Sequence, residues 1–497
     1  MTAVLIVGAG PTGLALALSL TRQGVDFRIV DDGSGPGLSS RAMVVQARTL
    51  ELYQQLGFGD DIVATGIPMR EVRIRSGSRE MARLSLADAG RGLSPYPFVL
   101  CLAQDDHERF LAGRLAAQGV AVEWDTTLKS FTQDADGVRA VLDHGGREEV
   151  CDAGYIIGCD GAHSVVRHEL QLDFPGGSYG QLFYVADVRV AGGTISELRA
   201  SLGTDDFALM FPVRRSGMQR LIGIVPPLLA DRENLRFDDI REVVEQRVGV
   251  RVESVNWFAT YRVHHRVAAH FRRGRAFLAG DAGHIHSPAG GQGMNTGIGD
   301  AINLGWKLAH VIKGRAGPAL LDTYESERIA FARTLVASTD RAFRALVAGG
   351  LAGRLLRGWV LPLVVPLLAR LAATPRMIFR TVSQLRIAYP DSALSAGQAG
   401  LVCGGDRLPW TGGNFTGLNG VDWCIHIYGA ASPSMDAAAV RLGLAIDTMP
   451  FDTAARVAGF ARDAAYLLRP DGHVALALPD QDAAALAAFA AKFELGR

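Results

Sequence analysis

Apolar residues fall into different rhythms along this chain, and each rhythm predicts a different kind of element. The short continuous run Ala3 to Val7 reads as a strand buried on both faces, and Leu14 to Leu20, beyond a glycine-rich turn, reads as a buried helix. Phe27 to Val30 is expected to be a second strand, which completes a β-α-β start. Helical spacing returns at Arg48 to Leu56 and Asp105 to Gln118; between about 71 and 100 the pattern is of short strands, with further strands expected at Val120 to Trp124 and Val138 to Leu142. From about 176 to 264 strands take over: Leu182 to Val190, Phe207 to Val213, Gln219 to Val225 and Val255 to Tyr261. A long helix is expected from about Gly297 to Ile312, with Asp300, Asn303, Leu304 and Lys307 at helical spacing. Beyond residue 396 strands are expected near Trp423 to Tyr428 and Val474 to Leu478, and helices near Asp452 to Ala458 and Asp480 to Phe493. Arg469-Pro470-Asp471-Gly472 signals a turn.

Three motifs sit where these elements join. Gly8-Ala9-Gly10-Pro11-Thr12-Gly13 lies between the first strand and the first helix, where glycines permit a tight turn, a close approach of phosphate and close helix packing. The helix start adds unpaired N–H groups and about half a positive charge, which suits a pyrophosphate. Asp31 and Asp32, ending the second strand, are candidate acceptors for a ribose. Such a fingerprint serves NAD and FAD alike. Two later strands that run into an aspartate break the tie towards a flavin dinucleotide: Tyr155 to Gly158 leads into Cys159-Asp160-Gly161, and Arg275 to Ala279 leads into Gly280-Asp281. Asp281 can hold a ribityl hydroxyl, and the glycines after Pro288, with Gly291, Gly293, Met294 and Asn295, let backbone N–H groups approach a flavin edge.

On these motifs the chain resembles, over nearly its whole length, the single-component FAD-dependent aromatic hydroxylases, the class A flavoprotein monooxygenases related to para-hydroxybenzoate and phenol hydroxylases. Within that family it looks most like the bacterial hydroxylases that tailor aromatic polyketides. The resemblance implies an α/β fold: a discontinuous FAD-binding Rossmann-like domain, an inserted β-sheet substrate domain and a C-terminal thioredoxin-like domain. The expected boundaries are 1–175 for the first part of the FAD domain, with 71–100 lending strands to the substrate domain, 176–264 for that domain, 265–395 for the second FAD part and a helical segment, and 396–497 for the last domain, which lacks CxxC.

By the same resemblance Gly8, Gly10, Thr12 and Gly13 cradle the FAD pyrophosphate and Asp31 holds the adenosine ribose. The family usually has Glu there, so Asp32 stands as the alternative carboxylate. Arg41 and Gln104 lie along the dinucleotide, Asp160 and Gly161 serve both FAD and a nicotinamide donor, and Gly280 and Asp281 serve the ribityl chain. The implied reaction is hydroxylation of a phenolic, polycyclic aromatic polyketide, with NADPH or NADH as co-substrate and O2 as oxidant, through a flavin C4a-hydroperoxide. Pro288 would present its carbonyl to the substrate hydroxyl, and a mobile flavin would meet the nicotinamide without a second nucleotide fold. Tyr184, Phe207, Met210, Phe211 and Pro212, with Phe183, are candidate walls for a flat substrate; for each alone, ordinary sheet core is the commoner role. Two other outcomes stay open: Baeyer–Villiger oxygen insertion, and a non-catalytic flavin-binding accessory protein. A halogenase is disfavoured because Trp-x-Trp-x-Ile-Pro is absent.

Bulk properties narrow the partners. A formal net charge of +0 leaves no basic footprint for nucleic acid. The five cysteines form no CxxC, so neither a disulfide framework nor a zinc knuckle is readable, and a cytoplasmic location fits. His264, His265, His284 and His286 lack a carboxylate or cysteine at usual ligand spacing, so no metal is expected there; His284 or His286 stays a candidate base. The start of the chain has no secretory pattern. The apolar run Trp359 to Ala369 holds two prolines and is too short to span a bilayer; it and the C-terminal domain make a homodimer conceivable.

Overall fold

Why the three motifs belong together is visible in one sheet. In the computed structural model, which describes residues 1–37, 42–76, 79–193, 195, 197–203, 207–213, 216–287, 289–347 and 373–495, the strands Phe27–Val30, Thr2–Val7, Arg147–Gly158 and Ala276–Leu278 lie side by side and parallel. Val7 pairs with both Val30 and Gly158, and Gly158 with Leu278, so all four strands end on one line. Continuous Val, Ile and Leu suit strands covered on both faces. The helices Pro11–Arg22 and Gly293–Ile312 pack on this sheet, and their buried leucines, isoleucines and alanines form its core.

A second, eight-stranded sheet holds the inserted region. Its order is His284–Ile285, Val252–Val267, Gly176–Val190, Met218–Ile224, Phe207–Val213, Leu198–Leu202, Glu71–Ser76 and Arg79–Ser85. The two strands from the 71–100 stretch thus join the inserted sheet, through a parallel pairing of Glu71–Ser76 with Leu198–Leu202. Phe237–Val248, a helix the sequence reading did not anticipate, covers one face with Phe237, Ile240, Val244 and Val248. A small sheet of Val44–Val45, Val99–Cys101 and Ile67–Met69 lies against the other face.

The last region is a six-stranded sheet with the helices Pro433–Leu442, Thr453–Ala458 and Ala483–Lys492. Its Ala445–Met449 and Ala465–Leu468 strands and its first helix were not foreseen. Val120 to Trp124, expected as a strand, makes only a single bridge, Glu123 to Val30. That segment is too short-paired to form a ladder. The apolar run 359–369, one of the two grounds for the dimer expectation, lies outside the described residues.

Candidate functional site: a dinucleotide cleft at the strand ends

The glycine loop follows Val7 because its backbone must turn where no side chain fits. Gly8 has φ +101°, and a Cβ there would strike the Cys159 carbonyl of the adjoining strand end. A Cβ on Gly13 would strike the Gly8 carbonyl. Gly10 differs: nothing lies within 4 Å of its Cβ position, and it stands at the start of the helix Pro11–Arg22 with no side chain capping that end. The helix therefore presents free N–H groups to open space at the carboxyl edge of a parallel sheet, where such sheets bind ligands.

Asp31 braces this loop. Its carboxylate accepts the Ala9 N–H at 2.6 Å and the Gly33 N–H at 2.8 Å, and burial raises its pKa. Asp32 beside it is exposed. Gln104, at the start of the helix Gln104–Ala116, donates to Glu108 at 2.8 Å, and Glu108 accepts the Gly37 N–H. Arg41 lies outside the described residues, as does Pro288.

The two later motifs close the edge. Asp160 accepts the Val166 N–H at 3.2 Å at the head of a short helix, while its other oxygen is buried without a partner; burial raises its pKa. Gly161 takes φ +72° in the same turn. Gly280 has φ +63°, and a Cβ would lie 2.5 Å from Thr12 Oγ1, so the glycine loop and the Gly280-Asp281 turn touch through Thr12. Asp281 itself is exposed at the strand end.

Beyond it, Gly291 (φ +61°) and Gly293 lead into the helix Gly293–Ile312, whose start again has no side-chain cap. Here Asn295 fastens the turn through its side chain. Its side chain donates to the Val44 and Gly291 carbonyls, both at 2.9 Å, and accepts from Gln46 N and Thr49 Oγ1, both at 2.8 Å. All its hydrogen-bonding capacity goes to fixing the loop, so only its backbone is left for a ligand. Met294 packs partly buried against the core.

The candidate substrate walls divide by the two-residue period of a strand. Phe211 shares a cluster with Met43, Val44 and Val185, and Val44 abuts Gly291, so this face looks onto the turn at Gly291. Phe207 lies with Phe183, Ile224 and Val263, and Tyr261 stacks on Phe183 at 5.6 Å. Tyr184 and Met210 lie in the cluster with Phe237, Ile240 and Val244 under the covering helix. Pro212, two residues beyond Met210, takes the same face. These three are corrected to the outer side of the sheet; Ile222, Val263 and Tyr261 belong to the inner side and were missed, because alternation separates two apolar faces without saying which one a helix covers.

Behind the loop a buried polar chain ties the motifs down. Asp300 accepts the Gly280 N–H at 2.9 Å and Arg328 Nε at 2.6 Å, and pairs with His284 Nε2 at 2.7 Å. Burial would raise the Asp300 carboxyl, but Arg328 and His284 together hold it below its ordinary value. Arg328 also donates to the Tyr389 hydroxyl and the Thr296 carbonyl. With Nε2 on Asp300, His284 is a positioning group. His286 is different: its Nδ1 donates to the Ser287 carbonyl at 2.8 Å, its Nε2 is buried without a partner, and burial lowers its pKa to about 4. A Cβ on Gly293 would lie 3.6 Å from that nitrogen. Of the other histidines, His264 meets Ser178 Oγ and His265 packs on Tyr179.

The family described as an FAD binding domain matches residues 1–339. The chain belongs to that family. It is an FAD-dependent aromatic monooxygenase related to the polyketide hydroxylases. It is 37% identical over 406 residues to a 6-methylpretetramide 4-monooxygenase of Streptomyces rimosus, covering 79% of this chain and 71% of that protein. It is 32% identical over 501 residues to a 12-dehydrotetracycline 5-monooxygenase/anhydrotetracycline 6-monooxygenase of Streptomyces rimosus subsp. rimosus, covering 95% and 94%. The solved structure of an anhydrotetracycline hydroxylase from Streptomyces rimosus superposes with a TM-score of 0.77 at 28% identity, over 99% of each chain.

The cleft of the monooxygenase fits FAD on its own features. Two uncapped helix starts, the open space at Gly10, the exposed Asp281 and the unpartnered polar atoms of Asp160, His286 and Ser287 belong to the loops that follow the ends of the parallel strands and lead into Gly293–Ile312; Gly280 and Gly297 meet Thr12, and Gly293 meets His286. The C-terminal region is fastened to the same scaffold. Glu327, fully buried, accepts from Arg469 at 2.7 and 3.0 Å, Lys307 at 2.8 Å and Ser392 at 2.6 Å. Asp471 accepts from Arg469, Asn303 and Trp306. The turn signal at 469–472 and the helical spacing of 300–307 were legible; their meeting was not.

Proposed function

We propose that the monooxygenase hydroxylates a phenolic, polycyclic aromatic polyketide, using NADPH or NADH and O2. The observation that supports this reading is the shared wall: Val44 abuts the turn at Gly291 and belongs to the same apolar cluster as Phe211 on the inner face of the eight-stranded sheet, so a planar ring held on that face would lie beside the proposed flavin loop. Bound FAD would supply the redox chemistry, hydride acceptance from the nicotinamide donor and oxygen activation. The protein's own residues supply the rest. Gly10 and the helix start beyond it receive the pyrophosphate, with Thr12 holding the loop against Gly280; Asp31 or the exposed Asp32 receives the adenosine ribose, and Asp281 the ribityl chain. N–H groups at Gly293 and Met294, at a helix start without a side-chain cap, would serve the flavin ring edge. Phe207, Phe211, Ile222 and Tyr261 exclude water and set the ring plane, which favours productive oxygen transfer over wasteful peroxide release. His286 Nε2, its tautomer fixed by the Ser287 carbonyl, is the acceptor available for a substrate proton.

The test is purification of the yellow holoprotein followed by a screen of tri- and tetracyclic phenols for accelerated NAD(P)H oxidation, with product structure by NMR. A new ring hydroxyl formed in step with NAD(P)H consumption is expected. An ester or lactone product would replace this reading with Baeyer–Villiger insertion. Absence of stimulation by every phenolic candidate would favour a flavin-binding accessory protein.

A further inference from the structure

The C-terminal sheet gathers three metal-binding side chains that the flavin chemistry does not use. Cys424 and His426 stand two apart on the strand Cys424–Tyr428, hence on one face. The strand Ala445–Met449 runs parallel beside it with Asp447 in register with His426. One ligand atom from each of the three residues lies within 4.8 Å of the others. The sequence does not announce such a site, because the third member comes from a neighbouring strand, outside any CxxC or His-x-His spacing.

His426 is the telling residue. It is 0% exposed, and neither ring nitrogen has a hydrogen-bond partner; Nε2 lies 3.6 Å from Asp447 Oδ2, beyond bonding distance. A buried imidazole normally spends at least one nitrogen on a neighbour. Cys424 is a free, buried thiol, and among the described residues no lysine or arginine pairs with Asp447. Asp447 is 38% exposed, which leaves a way in from solvent and a fourth position for water. Gly417 lies over this carboxylate, where a Cβ would come within 2.5 Å of Asp447 Oδ2.

We propose that Cys424, His426 and Asp447 bind one zinc(II) ion per chain. Imidazole nitrogen, thiolate sulfur and carboxylate oxygen are the donors zinc takes in tetrahedral sites, and it imposes no geometry of its own. On binding, the Cys424 thiol loses its proton to solvent as the sulfur–zinc bond forms, with no change of oxidation state. The ion ties Cys424–Tyr428 to Ala445–Met449 and satisfies His426. It fastens the C-terminal sheet and takes no part in oxygen transfer.

The experiment uses the full FAD-loaded chain, treated with chelator and then dialysed against zinc(II), with zinc per chain measured by elemental analysis and thermal melting followed with and without zinc. Wild type is expected to hold one zinc and to melt higher with it. Asp447→Asn and Cys424→Ser should each weaken binding about tenfold or more and remove the thermal shift, with the flavin spectrum unchanged. Asp447→Asn alters a partly exposed side chain and keeps the test open if Cys424→Ser folds poorly. Cobalt(II) in place of zinc should give a thiolate-to-cobalt absorption in the difference spectrum of wild type that Cys424→Ser lacks. Equal zinc content and equal melting shifts in wild type and Asp447→Asn would overturn the proposal.

Discussion

Gly10→Ala separates a ligand-facing glycine from a packing glycine within one loop. Gly10 has φ −69° and ψ −177°, a conformation alanine adopts freely, and no protein atom lies within 4 Å of the added methyl. The apoprotein should therefore keep its stability, or gain up to about 1 kcal/mol because alanine restricts the unfolded chain. The methyl occupies the space from which a pyrophosphate reaches the helix N–H groups. Losing one charge-assisted hydrogen bond there costs about 1.5–3 kcal/mol, or about 10- to 150-fold in the dissociation constant for FAD. Gly13→Ala does the opposite. Its methyl strikes the Gly8 backbone carbonyl, which no rotamer change relieves, so the apoprotein itself should lose about 3 kcal/mol. The assay is fluorescence titration of the deflavinated proteins with FAD, beside denaturant unfolding of the same apoproteins. Unchanged FAD affinity in Gly10→Ala would refute the assignment of that space to the pyrophosphate. A destabilised Gly10→Ala apoprotein would refute the packing reasoning as well.

Two further predictions follow from burial. His473 packs between Tyr389 and Arg48 beside Asp471, and burial lowers its pKa from 6.5 to about 4. The unfolded chain therefore binds one more proton between those pH values, so the stability this neutral ring contributes is complete above pH 6.5 and is lost as pH falls towards 4, about 3 kcal/mol in all. His473→Gln should lower the acid-unfolding midpoint and flatten stability against pH over that window, measured by urea unfolding at stepped pH; an unchanged profile would contradict it. On the eight-stranded sheet, Phe211→Leu should raise KM for the aromatic substrate several-fold, whereas Met210→Leu, under the covering helix, should leave KM unchanged and cost less than about 1.5 kcal/mol. Steady-state kinetics with the reverse outcome would invert the assignment of the faces.

What the sequence disclosed, and what it withheld, follows from the range of the interactions concerned. The strand Phe27–Val30, the strand Phe207–Val213 and the helix starting at Ala47 were readable because period and turn residues are local. The glycine and aspartate motifs were readable because each closes a strand. That Val7, Val30, Gly158 and Leu278 fall in register could be expected only through the motifs, since pairing joins residues up to about 150 positions apart in a way no local pattern records. Face assignment failed at Tyr184, Met210 and Pro212 for a different reason: both faces of the sheet are apolar, one covered by Phe237–Val248 and one by the small sheet at Val44, so alternation gave no polar side to orient against.

The polar core marks the remaining limit. Lys307, Asn303 and Asp300 show helical spacing, yet nothing local says that Glu327, Arg469 and Asp471 will meet them. Their convergence has a functional consequence for the flavin loop. Asp300 holds Gly280 and His284 on one side and Arg328 on the other, Arg328 holds Tyr389, and Tyr389 packs at a tilt against His473 in the C-terminal region, ring centroids 4.7 Å apart. A buried charge stripped of its partner costs several kcal/mol, so no member of this chain can move alone. The loop proposed to receive the isoalloxazine is thereby set by residues from both ends of the sequence, so the C-terminal region braces that loop even though it carries no redox pair of cysteines among the described residues.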